Sequence, residues 1–322
     1  MQERNCGLDL FRILCCIGVV NYHVMDDLIT NPGGLIIYYG SSYCVPGFFL
    51  LAGFLFAGKK DFSIDYCEKK IVSIVRKLFG WIILLTIVHF ILTGEVYNIW
   101  SQFTLSLLSK GVLPVAWFLF TYCICVFCEI PIYWLRRKNK IIFYILSIVW
   151  TVLLALGVGS NIMLNETQSL WFHIYIGYFL VGITIYDALY SWHNRRTDVI
   201  IRITLGGAFI LSSYIYYNNI KHFAGLPHLY YGKWYYSVWL ISLFFIIFHC
   251  GFFVKRHKKI LSIISKGTFT VYLGHLPILT YITNIYPIQT LPEAIILVLF
   301  LFTILIVLSV LMKKLPLARK LI

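Results

Sequence analysis

Residues 7–25, GLDLFRILCCIGVVNYHVM, form an apolar run long enough to cross a bilayer, and it carries Arg12 and His23 inside it. A charged side chain at the bilayer centre costs about 2.5–3.5 kcal/mol on insertion scales, so an arginine in such a run calls for a reason. The two residues are eleven apart. On an α-helix that is three turns plus roughly 20°, so both project from one face, ~16 Å apart along the axis. One helix therefore presents a permanent cation at one depth and a titratable imidazole at another. Arg12 also lies close enough to the helix start to snorkel outward with Asp9 as its partner, and a lone membrane histidine also suits hydrogen-bonded packing. The end of the run and the residues beyond it, Tyr22-His23-Val24-Met25-Asp26-Asp27, offer no small-residue cleavage site, so a signal peptide is not expected.

The rest of the 322 residues extends this pattern. With 60% hydrophobic and 12% charged residues, the chain reads as an all-α polytopic membrane protein, a single domain over 1–322. About ten spans are expected, near 7–27, 35–58, 78–97, 113–135, 141–160, 169–187, 200–217, 234–254, 268–286 and 292–312. Pro46-Gly47 and Gly53 predict a kinked or partly unwound second span. The net charge of +14 would suggest nucleic acid in a soluble protein, but here the basic residues fall between apolar runs. With the N-terminus inside, 23 of the 27 Lys and Arg lie on the cytoplasmic side and only Lys110, Lys221 and Lys233 outside, Arg12 being in the membrane. By the positive-inside rule both termini are cytoplasmic, as in a bacterial-type inner membrane protein. Arg12 then sits toward the cytoplasm and His23 toward the outside. The nine cysteines have no metal-ligand spacing and read as small buried hydrophobes, so no metal is expected.

Several further residues carry two readings. His275 sits in the ninth span between Gly274 and Pro277, either as packing or as a second polar contact along a donor path. Trp117 suits an interface tryptophan, and Glu129 suits an ion pair with Arg136 or a neighbour. His89, His173 and His249 have no signature around them. A multi-span transporter or flippase of a glycan-related substrate would also use ten spans and a broken helix, although no inverted repeat is visible.

Four stretches resemble one family. Gly7-Leu8-Asp9-Leu10-Phe11-Arg12, ten residues and then His23 resembles the arginine-to-histidine signature of the acyltransferase 3 family of membrane acyltransferases. Val45-Pro46-Gly47-Phe48-Phe49-Leu50-Leu51-Ala52-Gly53-Phe54 is similar to its second-span motif, with Ala52 where serine is usual. Trp117-Phe118-Leu119 resembles its fourth-span tryptophan box, and Val271-Tyr272-Leu273-Gly274-His275 its late tyrosine-to-histidine segment. The family's basic pair appears as Arg76-Lys77, without the following proline, and the hydrolase-like extracytoplasmic domain of some relatives has no counterpart here.

The resemblance implies O-acylation: transfer of an acyl group, usually acetyl from acetyl-CoA as co-substrate, to a hydroxyl of an extracytoplasmic or lipid-linked glycan. Basic inner loops suit an anionic donor, and a neutral imidazole in the outer half suits proton removal from an attacking hydroxyl. On this reading His23 and Arg12 are catalytic. Arg12, Arg76, Lys77 and His275 contact the donor, and Trp117 and Asp26 contact the acceptor. The partners are the saccharide and the bilayer, not nucleic acid.

Overall fold

The computed structural model describes residues 5–59, 62–156, 172–191, 195–220, 230–251 and 253–315. Among them the regular structure is helical, with no strand beyond an isolated bridge between Leu156 and Lys233. The helices are α1 (Cys6–Val24), α2 (Pro32–Gly40), α3 (Cys44–Ala57), α4 (Ile64–Thr93), α5 (Ile99–Leu107) and α6 (Ala116–Lys138). There follow α7 (Lys140–Ala155), α8 (Phe172–Ser191), α9 (Arg195–Ile220), α10 (Trp234–Cys250), α11 (Lys258–Ile285) and α12 (Leu291–Met312).

Local chemistry sets the ends. Asn5 caps α1 by accepting from the Gly7 amide at 2.8 Å, and Asp9 complements the positive helix start. Ser63 caps α4, whose far end stops at Gly94 with φ +76°. Thr290 and Glu293 form a capping box at the head of α12.

Five helical segments are long and apolar enough to cross a membrane: Cys6–Val24, Pro32–Ala57, Ile64–Thr93, Ala116–Lys138 and Leu291–Met312. A sixth is available if Trp234–Cys250 and Lys255–Ile285, bent by 76°, count as one broken span. Among the described residues the protein is thus all-helical, with five to six helices long and apolar enough to cross a membrane. The remaining apolar helices α7, α8 and α9 overlap expected spans without meeting that test. The apolar exterior is consistent with lipid. In α12 only a narrow stripe, Ala294, Val298, Leu301, Leu305, Ser309 and Met312, is buried, while Leu299, Phe300, Ile304 and Leu311 face outward.

Three expectations about local structure are corrected. The second span breaks at residues 41–43, between α2 and α3, not at Pro46-Gly47, because proline in a first helical turn sacrifices no intrahelical bond. Gly53 does not interrupt α3. It lets α3 meet α8, since a Cβ there would collide with the Phe179 carbonyl and one at Gly182 would collide with that of Leu50. The basic stretch 59–77 is not a loop, since α4 begins at Ile64 and runs for 30 residues. The segment after α4 contains the short helix α5. Trp171, Lys221 and the tail residues Arg319 and Lys320 lie outside the described residues.

α1 lies at the centre, packed against α2, α3, α10, α11 and α12. Its nearest functional neighbour is α11, and the two run parallel: Asp9 and Arg12 meet Ser265, Cys16 meets Thr268, and His23 meets His275.

Candidate functional site: two chambers along one helix

The parallel packing of α1 and α11 sets the axis of the site. Ser265, Thr268, Tyr272 and His275 recur at three- and four-residue steps, so α11 shows them along one face. At the lower end Arg12 Nη1 donates to Ser265 Oγ at 3.2 Å, and that hydroxyl donates to the buried Asp9 carboxylate at 2.7 Å. Arg12 is thus linked to Asp9 through a serine supplied by a helix more than 250 residues away.

Arg12 opens onto a cavity of about 590 Å³, within the ~300–1,000 Å³ typical of small-molecule sites. Among the described residues its walls hold five cations, Arg12, Lys69, Lys70, Lys77 and Lys266, and no carboxylate. Lys70 is anchored: its ammonium donates to the fully buried Glu129 carboxylate at 2.6 Å and lies 4.9 Å from the centre of the Tyr122 ring. Lys77 lies over Phe269 at 5.0 Å. Lys77 and Arg12 therefore line the same cavity, whereas Arg76 is exposed and is not a wall residue. Lys69, Lys70 and Lys266 were missed. Tyr66, Lys70, Ser73 and Lys77 repeat at helical spacing, a signal hidden while residues 59–77 are read as a loop. Glu129 pairs with Lys70 and not with Arg136, which instead donates to the Asp187 carboxylate and to the Ala57 carbonyl.

His23, at the other end of α1, borders a smaller cavity of about 180 Å³. Its walls include Tyr22, His23, Ser109, Trp117, Tyr175, Tyr231 and Tyr272, with no Lys or Arg among the described residues. Trp117 thus stands in the same chamber as His23, its ring 5.6 Å from that of Tyr175. Asp26 is exposed on the turn after α1 and is not a wall residue; the Tyr38 hydroxyl bonds to it, and Tyr38 stacks on Tyr22 at 4.5 Å. Ser109 was also missed. It holds φ +62°, which few non-glycine residues adopt, and its buried hydroxyl has no protein partner.

One residue belongs to both chambers. Tyr272 lines each of them, and its hydroxyl donates to the Val115 carbonyl at 2.9 Å. His275, expected on the donor path, is a wall of neither cavity. It is fully buried with its ring centre 5.3 Å from that of His23. His89, His173 and His249 line neither chamber, and all nine cysteines are free.

The class this defines is an integral membrane protein with an internal two-part site strung along its first helix. Its particular kind follows from comparison: the family model described as an acyltransferase domain matches residues 5–313. The chain belongs to the acyltransferase 3 family of membrane acyltransferases. Comparison with curated proteins and with solved structures returns no match.

Proposed function

We propose that this acyltransferase moves an acetyl or similarly short acyl group from acyl-CoA to a hydroxyl of an extracytoplasmic or lipid-linked glycan. One observation carries the reading. A single helix bears one cation of a chamber with five and the imidazole of an adjoining chamber with none among the described residues, Tyr272 lining both. The larger chamber suits the phosphates of CoA, which Arg and Lys bind through charge-assisted hydrogen bonds. The smaller one, with no cation among the described residues to meet a second carboxylate, suits acetyl better than succinyl. Its aromatic walls suit the apolar faces of a sugar ring, and their hydroxyls its polar edges.

In the reaction a ring nitrogen of His23 takes the proton of the acceptor hydroxyl as its oxygen attacks the thioester carbonyl carbon. The carbon–sulfur bond then breaks, and the departing thiolate recovers that proton as CoA thiol. Nothing is oxidised or reduced: an ester and a thiol replace an alcohol and a thioester. Arg12 holds donor phosphate or carbonyl oxygens at the far end of the helix. The loop charges orient the donor chamber to the cytoplasm and the acceptor chamber outward, in an inner membrane, so a reporter inserted near Asn219 reads outside.

The test is acetyl-CoA turnover by purified protein. His23→Ala and His23→Gln should each lose on the order of 10²–10⁴ in rate while CoA still binds by calorimetry. A folded His23→Gln protein of normal rate would end this reading.

A further inference from the structure

The imidazole of His275 has one nitrogen engaged and one idle. Nδ1 lies 2.8 Å from the Tyr272 carbonyl oxygen and 3.0 Å from that of Val271. Carbonyl oxygens only accept, so Nδ1 carries the proton and Nε2 carries a lone pair. The residue is 0% exposed, and Nε2 meets no protein partner among the described residues. A buried acceptor without a donor is costly, and native structures rarely leave one without a use. Because Nδ1 is turned onto its own helix, the opposite edge of the ring points away from α11. The ring of His23 lies 5.3 Å away between centres and is tilted by 38° to it. Two imidazoles joined by an N–H···N bond hold their centres roughly 5 Å apart, a spacing that these two rings match. Tyr22 packs edge-on against His23 at 5.6 Å.

We infer that His275 is the positioning residue for His23. Its Nε2 accepts the N–H of His23, which holds the other His23 nitrogen unprotonated and available to the small chamber. This rests on His23 being the base of the transfer. When His23 takes the acceptor's proton it has two N–H groups: one stays on His275 Nε2, and the other returns its proton to the thiolate. His275 keeps throughout the proton it began with, so it touches neither substrate nor donor.

Two replacements separate positioning from packing. Leucine fills the site without an acceptor, while the side-chain carbonyl of glutamine reaches the region of Nε2 and accepts. With acetyl-CoA as donor and a methyl glycoside or water as acceptor, His275→Leu should lose about 10–100-fold in kcat, the worth of one hydrogen bond to a charged group, with the acetyl-CoA KM unchanged. His275→Gln should recover to within about tenfold of the parent. Nitrogen NMR of imidazole-labelled protein, with His23→Gln for assignment, should show one His23 tautomer in the parent and the glutamine variant but a mixture in the leucine variant. The parent spectrum should also show His275 protonated at Nδ1 alone; a proton on Nε2 overturns the inference even if the leucine variant fails to fold. A glutamine variant as slow as leucine, with both melting like the parent, also overturns it. Parent protein that neither binds CoA nor turns over acetyl-CoA overturns the donor assignment and this role with it. An active parent whose leucine variant is equally fast overturns the role of His275 alone.

Discussion

The Tyr272 hydroxyl donates to the Val115 carbonyl at 2.9 Å, and the ring so held is the wall that two cavities share. α11 supplies the ring, and the carbonyl lies one residue before α6, so the partition also ties those helices together across 157 residues of sequence.

Removing the ring should join the chambers. Tyr272→Ala is expected to raise acetyl-CoA hydrolysis relative to transfer to sugar, because water then reaches the thioester. Tyr272→Phe keeps the wall and loses one hydrogen bond, about 0.5–1.5 kcal/mol of stability, with the partition of products unchanged. Measuring both acetate and acetylated glycoside separates the cases; an unchanged ratio in Tyr272→Ala would show that the ring is no barrier.

The basic residues should divide by whether they line the large chamber. Arg12→Ala and Lys77→Ala are expected to weaken CoA binding about 10-fold or more, the worth of a charge-assisted contact, whereas the exposed Arg76→Ala changes it little. Calorimetry with CoA reads all three. Equal losses at Arg76 and Lys77 would mean that general charge, not the chamber, attracts the donor.

Ser109 should trade stability against activity. Glycine adopts φ near +62° without the roughly 1–2 kcal/mol that an L side chain incurs, so Ser109→Gly should melt at or above the parent temperature. Its missing hydroxyl should slow transfer about 10-fold, the worth of one hydrogen bond in the small chamber. Thermal unfolding beside a turnover assay decides, and normal turnover would leave the hydroxyl without a part in the reaction.

The α3–α8 contact should tolerate no added methyl. Gly53→Ala and Gly182→Ala each drive a Cβ into a backbone carbonyl of the facing helix and are expected to cost about 1–3 kcal/mol. Gly206→Ala, where a Cβ meets nothing within 4 Å, serves as the control and should be neutral or slightly stabilising. Thermal unfolding in detergent compares the three; equal melting temperatures would refute the close approach.

What was legible in the sequence was what a helix decides locally. The apolar run with Arg12 and His23 states its own cost of burial, and the fixed 100° per residue sets both on one face without knowledge of any neighbour. The membrane class and the all-helical fold follow from the same local terms, hydropathy and the need to satisfy every backbone group in lipid. Partnership is not local. Ser265 and His275 lie more than 250 residues from the α1 side chains they meet, and only the packing of α1 on α11 chose them. Gly53 reads alike as a break or as a close contact until the facing backbone is known. The lysine wall of the large chamber was hidden for a different reason: its charges mark residues 59–77 as a loop by hydropathy, while capping by Ser63 and burial of Cys67 and Leu78 make the stretch from Ile64 a helix. The tertiary structure thus decided which residues share a chamber, because that depends on contacts between helices, whose energies no single segment contains.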